Sequence, residues 1–169
     1  MKYTGKLLML ALIVFAVACD KENDDEVLST VVINELLPVN QNAGSDQNGQ
    51  FDDWVELYNL TDEAVDLSGH YLSDSKKNPA KWQFPDGTAI AANGYLIVWA
   101  DGDTLQVGLH TNYKLSSEGE KVLLLTPDLK IKDEVEYPAT DVQQSWARIP
   151  NGTGGFQWTV PTFNGSNDQ

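Results

Sequence analysis

The chain is short of the features that staple small exported proteins or attach proteins to nucleic acid. It has one cysteine, Cys19, in 169 residues, which excludes an internal disulfide and leaves packing to hold any fold. Lysine and arginine number 11 against 25 aspartates and glutamates, a net charge of −14. Nucleic-acid binding depends on cations that displace counterions along the phosphates. No basic patch is legible here, and no nucleic-acid partner is expected. The densest cationic stretch, Lys76-Lys77 with Lys81, is three charges amid a surplus of acid and reads as a solvated loop. Only two histidines occur, His70 and His110. Each reads as a packing or hydrogen-bonding residue, not a base or ligand. Long apolar runs are also missing. The longest, Leu7 to Val17, is too short to cross a bilayer as a helix, which takes about 20 residues, and no window carries the stripe of a long amphipathic helix.

What is present begins with a leader. Lys2 and Lys6 precede the apolar run, and Ala18 and Cys19 close it, the order of a removable secretory signal over residues 1–18. The stretch Phe15-Ala16-Val17-Ala18-Cys19 resembles the lipobox of bacterial lipoproteins, with Ala16 where leucine is commonest. The resemblance implies acylation of Cys19 and attachment to a membrane through lipid. One acyl chain holds only marginally, at about 0.8 kcal/mol per buried methylene, whereas a fully processed lipoprotein carries three. Residues 19–29 then form the lipidated cysteine and an acidic tether. Its run Asp20 to Glu26 has no apolar face and is expected to stay solvated. Cys19-Asp20-Lys21-Glu22 followed by Asp24, Asp25 and Glu26 also resembles an acidic export tag that sends lipoproteins to the outer face of the outer membrane. Loss of Lys2 and Lys6 with the leader takes the net charge from −14 to −16.

Residues 30–165 suit one domain, large enough to bury a core without metal or disulfide. Short runs rich in valine, isoleucine, leucine, tyrosine and tryptophan alternate with turn pairs such as Asn48-Gly49, Asp86-Gly87, Asn93-Gly94 and Asn151-Gly152. That spacing predicts an all-β sandwich or barrel. Strands are expected over Val31–Leu37, Trp54–Asn59, Tyr71–Ser73, Lys81–Phe84, Tyr95–Ala100, Val122–Thr126, Ile131–Tyr137 and Ser145–Ile149. Within Trp54–Tyr58, Val55 and Leu57 fall on one face and Trp54, Glu56 and Tyr58 on the other. Tyr95–Trp99 is apolar throughout, which places it as a central strand covered on both sides. Thr61–Leu67 and Asp141–Ala147 each suit at most a helical turn. Residues 166–169 are expected to fray as a disordered tail.

Ile33-Asn34-Glu35, then Asp53-Trp54-Val55-Glu56-Leu57-Tyr58-Asn59, then Val65-Asp66-Leu67-Ser68-Gly69 and Tyr71-Leu72-Ser73-Asp74 form an ordered series. It continues through Lys81-Trp82-Gln83-Phe84-Pro85, Gly94-Tyr95-Leu96, His110-Thr111, Leu115-Ser116, Gly119-Glu120 and Tyr137-Pro138. Together these segments resemble a lamin tail domain. The resemblance implies an immunoglobulin-like β-sandwich and a non-catalytic module that binds or scaffolds, with an envelope or extracellular protein or glycan as partner. The closing segment Pro161-Thr162-Phe163-Asn164-Gly165 departs from the Thr-Pro-Gly turn that bacterial members show before a final asparagine.

The sequence has no Gly-x-Ser-x-Gly elbow, His-Glu-x-x-His helix or Gly-x-x-x-x-Gly-Lys loop, and no catalytic residue or cofactor is expected. Carboxylate pairs can serve glycoside hydrolysis, and Asp52, Asp53 and Glu56 are close in sequence, the basis for a hydrolase alternative. The loop holding Asp46, Asn48, Asp52 and Asp53 has the oxygen-rich composition of a calcium site without EF-hand spacing. Trp99 reads as core. Trp54, Trp82, Trp146 and Trp158 are open candidates for a sugar-stacking platform, the basis for a carbohydrate-binding helper of a separately encoded enzyme.

Overall fold

The computed structural model describes residues 29–168, together with Met1. The leader, Cys19 and the acidic run after it lie outside the described residues. Among the described residues eleven strands are formed: β1 (Val31–Leu37), β2 (Trp54–Asn59), β3 (Val65–Asp66), β4 (Tyr71–Ser73), β5 (Trp82–Gln83), β6 (Ala89–Ile90), β7 (Tyr95–Trp99), β8 (Gly119–Leu125), β9 (Ile131–Pro138), β10 (Ser145–Ile149) and β11 (Gly155–Thr159). There is no helix among the described residues. A five-stranded antiparallel sheet in the order β11-β10-β1-β2-β7 faces a four-stranded sheet in the order β5-β4-β8-β9, and β3 and β6 make a small ribbon. This is the expected immunoglobulin-like sandwich.

Central placement explains why β1 is buried at every position. Val31, Ile33 and Leu36 enter the main core, with Val55, Leu57 and Val98 from the same sheet and Leu72, Val122, Leu124, Val135 and Tyr137 from the other. The inward set shifts from odd to even numbers because Asn34 is an extra residue. Ile33 pairs with Leu57 and Glu35 with Glu56, leaving Asn34 in a bulge. Below the bulge, the ladder between β1 and β10 ends. There Asp133 accepts the Ile33 N–H at 2.8 Å and Arg148 Nε donates to the Ile33 carbonyl at 2.9 Å. Arg148 and Asp133 also grip each other at 2.9 and 3.0 Å, tying the two sheets at that edge.

The structure corrects two expectations. The all-apolar Tyr95–Trp99 segment is an edge strand, not a central one. Leu96 and Val98 face the main core, and Ile97 and Trp99 enter a second cluster with Leu37, Trp54, Ala43 and Phe163. Its second face is therefore covered by loops and the C-terminal segment rather than by a neighbouring strand. The segment after the loop partly supplies the missing neighbour: Trp99 N–H donates to Leu109 O and Thr111 N–H to Trp99 O, both at 2.8 Å. β2 likewise has two dry faces, with Trp54 and Glu56 as buried as Val55 and Leu57. Finally, the tail does not fray where described. Asn167 is 3% exposed and donates Nδ2 to the carbonyls of Asn34 and Arg148 at 3.2 and 3.1 Å. Asp168 accepts the Asn151 N–H at 2.8 Å. Hydrogen bonding, which hydropathy does not register, holds this polar segment down.

Candidate functional site

The residues of the ordered series meet inside the fold, and their geometry is structural. Asn34 Nδ2 donates to Glu56 Oε1 at 2.9 Å and to Asn151 Oδ1 at 3.1 Å, while its Oδ1 accepts the Gly152 N–H at 2.9 Å. Asn59 Nδ2 donates to the carbonyls of Glu63 and Ala91 at 2.7 and 2.9 Å, and its Oδ1 accepts from Thr61. Ser116 N–H donates to Glu120 Oε1 at 2.8 Å, and the Tyr137 hydroxyl lies 3.0 Å from both Glu120 Oε1 and Ser116 O. Each group satisfies buried backbone or a bulge. Asn34, Asn59 and Tyr137 are buried, and Ser116, Glu120 and Asn151 are half-buried.

Glu35 and Glu56 stand opposite each other across β1 and β2. Both are fully buried beneath the C-terminal segment, where Thr162 donates its N–H and hydroxyl to Glu35 at 2.9 and 2.6 Å. Desolvation raises both carboxyls, with Glu56 pushed up to about 8, the nearby Glu35 adding to it. Glu56 Oε2 has no partner. Buried here, Glu56 is withdrawn from any surface carboxylate pair with Asp52 and Asp53.

The open chemistry lies at the end of the sandwich where β1 stops and β2 starts. Asp46 organises the loop between them: its Oδ1 accepts the N–H groups of Asn48 and Gln50 at 2.9 and 2.7 Å, and its carbonyl accepts that of Gly49 at 3.1 Å. This is a side-chain-capped turn, with Gly49 at φ +77°. The facing loop, 101–110, is closed by Asp101 and His110, whose Oδ2 and Nδ1 are 2.6 Å apart and buried. Asp101 Oδ1 accepts the Asp103 N–H at 2.9 Å. Gly108, at φ +118°, lets this loop approach the other: a Cβ there would stand 2.6 Å from Gln47 Nε2. Gln106 bridges the loops, accepting from Asn48 Nδ2 and donating to Gln50 Oε1 at 3.0 Å. Gln143 ties in the 139–144 loop, its Oε1 accepting the N–H groups of Gln41 and Asn42 at 2.8 and 3.0 Å.

These bonds occupy part of the candidate calcium ligands. Asp46 Oδ1 serves its turn, and the Asn48 amide faces Gln106. Asp53 lies beneath the loop, where the Asn40 backbone helps hold it and burial pushes it up to about 7. Burial also raises Asp52, with Asp101 and Asp46 close enough to add to the effect. Asp46 Oδ2 and Asp52 Oδ2 have no partner. Among the described residues, no group of three or more histidine, cysteine, aspartate or glutamate side chains is placed to hold a metal ion.

The tryptophans are withdrawn too. Trp54 and Trp99 are core, and Trp82, Trp146 and Trp158 are half-buried against it. Trp146 and Trp158 lie 5.0 Å apart along β10 and β11, with Phe156 beyond and Arg148 over the Phe156 ring at 4.5 Å. Of the lysines in the cationic stretch, Lys81 pairs with Asp74 and Lys76 with Glu134, each at 2.6 Å. His110 is a structural partner, as its residue type and place suggest, and His70 is half-buried with its proton affinity lowered by desolvation.

Sequence reasoning missed the apolar tips of this loop end. Leu105 is 95% exposed, Val107 82% and Phe51 49%. The only sequence signal is the placing of leucine and valine either side of a glutamine in a loop otherwise rich in aspartate and glycine.

No curated protein matches the chain. The lamin tail domain family model matches residues 26–139, about two thirds of the chain, and that family consists of non-enzymatic, immunoglobulin-like modules. The match spans β1 to β9, and on it the chain belongs to the lamin tail domain family.

Proposed function

We propose that this chain is a non-catalytic binding module, held by lipid on Cys19 at the outer membrane and facing the cell surface, which presents its loop end to an envelope or extracellular protein. The supporting observation is the polarity of the fold. The tether leads into β1 at Val31, which pairs with Asn59, whereas Leu37 at the other end pairs with Trp54, itself paired with Trp99. Loops 38–53 and 101–118 therefore leave from the end remote from the tether. A strand of seven residues separates the two by roughly 20 Å, so a lipid-held domain turns these loops away from the bilayer. Loops on a rigid sandwich are where binding residues concentrate.

A protein ligand is favoured over a glycan because the exposed large apolar side chains at this end are Phe51, Leu105, Val107 and Val142, while all five tryptophans are buried or half-buried. Docking onto a separately encoded enzyme is one form of this reading. A glycan would use the half-buried stripe of Trp146, Phe156 and Trp158 instead.

The test places a photo-crosslinking residue at Leu105 or, at the tether end, at Thr153 in intact cells fed a labelled fatty acid and then shaved with protease. The expected result is label on the wild-type chain and none on Cys19→Ala, digestion without breaking the cells, and a discrete protein adduct from position 105 alone. Adducts from position 153 alone would overturn the orientation. An unlabelled wild-type chain would overturn the anchor.

A further inference from the structure

Resting on that reading, we infer that the loop end recognises a cationic protein surface with an apolar centre, and that the cleft between the start of β8 and the end of β9 takes a lysine or arginine side chain of that partner. The first observation is a tied apolar patch. Gln106 turns inward to Asn48 and Gln50, which directs its neighbours Leu105 and Val107 outward, 95% and 82% exposed. Phe51 stands beside Gln50 on the opposite loop. Scattered exposed apolar residues need no explanation. Three of them on two loops cross-linked through the residues between them form a patch of fixed spacing, the kind of pre-organised centre that interfaces use.

The second observation is charge. Of the acids in loops 38–53, 100–118 and 139–144, Asp103, Glu118 and Asp141 are exposed, with Lys114 the one exposed cation, while His110 is buried on Asp101. The cleft lined by Ser117, Glu118, Ala139, Thr140 and Asp141 opens on this same end, with a volume of about 240 Å³. It is closed behind by the Thr140 N–H to Ser117 carbonyl bond of 2.8 Å. Glu118 and Asp141 are exposed at its mouth with no ion-pair partner among the described residues, so one extended cationic side chain matches it in size and sign. A second copy of this chain would bring like charge against like charge, and an anionic lipid or nucleic-acid surface would be repelled. Complementarity therefore selects a different, basic protein.

Twelve-residue fluorescent peptides alternating lysine with leucine, lysine with serine, or glutamate with leucine are the probes, titrated by anisotropy into the purified full chain. The lysine–leucine peptide should bind at least tenfold more tightly than the lysine–serine peptide and lose at least tenfold between 50 and 500 mM salt, magnitudes typical of combined apolar and charged contacts. The glutamate–leucine peptide should not bind. Leu105→Ser with Val107→Ser should weaken the lysine–leucine peptide about tenfold and leave the lysine–serine peptide unchanged. Glu118→Gln with Asp141→Asn should weaken both about threefold, and Ile131→Ser, exposed at the opposite end, should change neither. Equal loss from Ile131→Ser, or no loss from the loop variants, would overturn the inference, with thermal melts certifying that each variant is folded. If position 105 crosslinks in cells while the peptide panel fails, the partner chemistry is wrong and the binding function stands. If both fail, the binding function falls as well.

Discussion

Glu56 is the residue whose environment has the clearest thermodynamic consequence. It is fully buried against Glu35, and its carboxyl is held up at about 8. The folded state thus keeps a proton that the unfolded chain releases above about pH 4.5. Between those values the native form binds more protons than the unfolded form, so stability falls as pH rises, by up to about 1.4 kcal/mol per unit, and flattens above about 8. Glu56→Gln keeps the oxygen that Asn34 uses and removes the titration. Melts of the variant and wild type should nearly coincide at pH 5, and at pH 8 the variant should melt several degrees higher. Equal melting temperatures at both pH values would show that Glu56 is ionised in place. Arg148 makes the complementary case for geometry. It holds the Ile33 carbonyl, the Gly154 carbonyl and both oxygens of Asp133, and a lysine has no fork to match them. Arg148→Lys should cost about 1–3 kcal/mol in urea unfolding through the acceptors it leaves unmet. None of these partners is adjacent in sequence. The residue types were legible, but the bulge at Asn34 that brings them together was not.

Length only partly decided which elements were legible, since the two-residue β5 falls within the expected Lys81–Phe84 strand. β1 and β2 fall where alternation and β-branched residues place them, while β3 and β6, at two residues each, are too short to show a period. β11 was missed although Phe156 and Trp158 alternate with polar residues. The error over β7 has a physical cause: apolar residues on both faces report burial, and they do not report which element supplies it. Here the C-terminal segment does so. Phe163 packs on Trp54 and Trp99 at ring separations of 5.6 and 5.7 Å. Phe163→Ala should destabilise the domain by about 2–4 kcal/mol, somewhat less than a fully buried aromatic because the ring is half-buried. It should also speed proteolysis of residues 161–168 ahead of the sheets. Gly44 faces the same ring. A Cβ there would lie 2.3 Å from Phe163 Cδ2, at a backbone φ of +81°. Gly44→Ala should therefore reproduce the loosened tail with Phe163 intact. Urea unfolding and limited proteolysis in parallel would check both, and a tail as resistant as wild type in Gly44→Ala would show that the loop yields instead.

For the molecule as a whole, the question is where the folding unit ends. The family match closes at residue 139, yet β10 and β11 complete the larger sheet and leave β1 in its centre. A chain stopped at 139 would lose Ala147 and Trp146 from the packing and uncover the ladder edge of β1 at Glu35 and Leu36. It would also strip Arg148 from Ile33 and Asp133, leaving a partly buried carboxylate without its cation. A chain stopped at 160 keeps both sheets but removes the cover over Glu35, Glu56, Trp54 and Trp99. Water would then reach the two carboxylates. The native state of that shorter chain would no longer hold Glu56 near 8, so the loss of stability between pH 5 and 8 should shrink along with the overall stability. Three chains beginning at residue 27 and ending at 139, 160 and 169 separate these roles in calorimetry. The first should show no cooperative transition, and the second a transition at lower temperature with a flattened pH dependence. The third should melt highest and retain the full slope. A cooperative transition from the chain ending at 139 would mean that β1 tolerates an open edge and that the last two strands are an appendage.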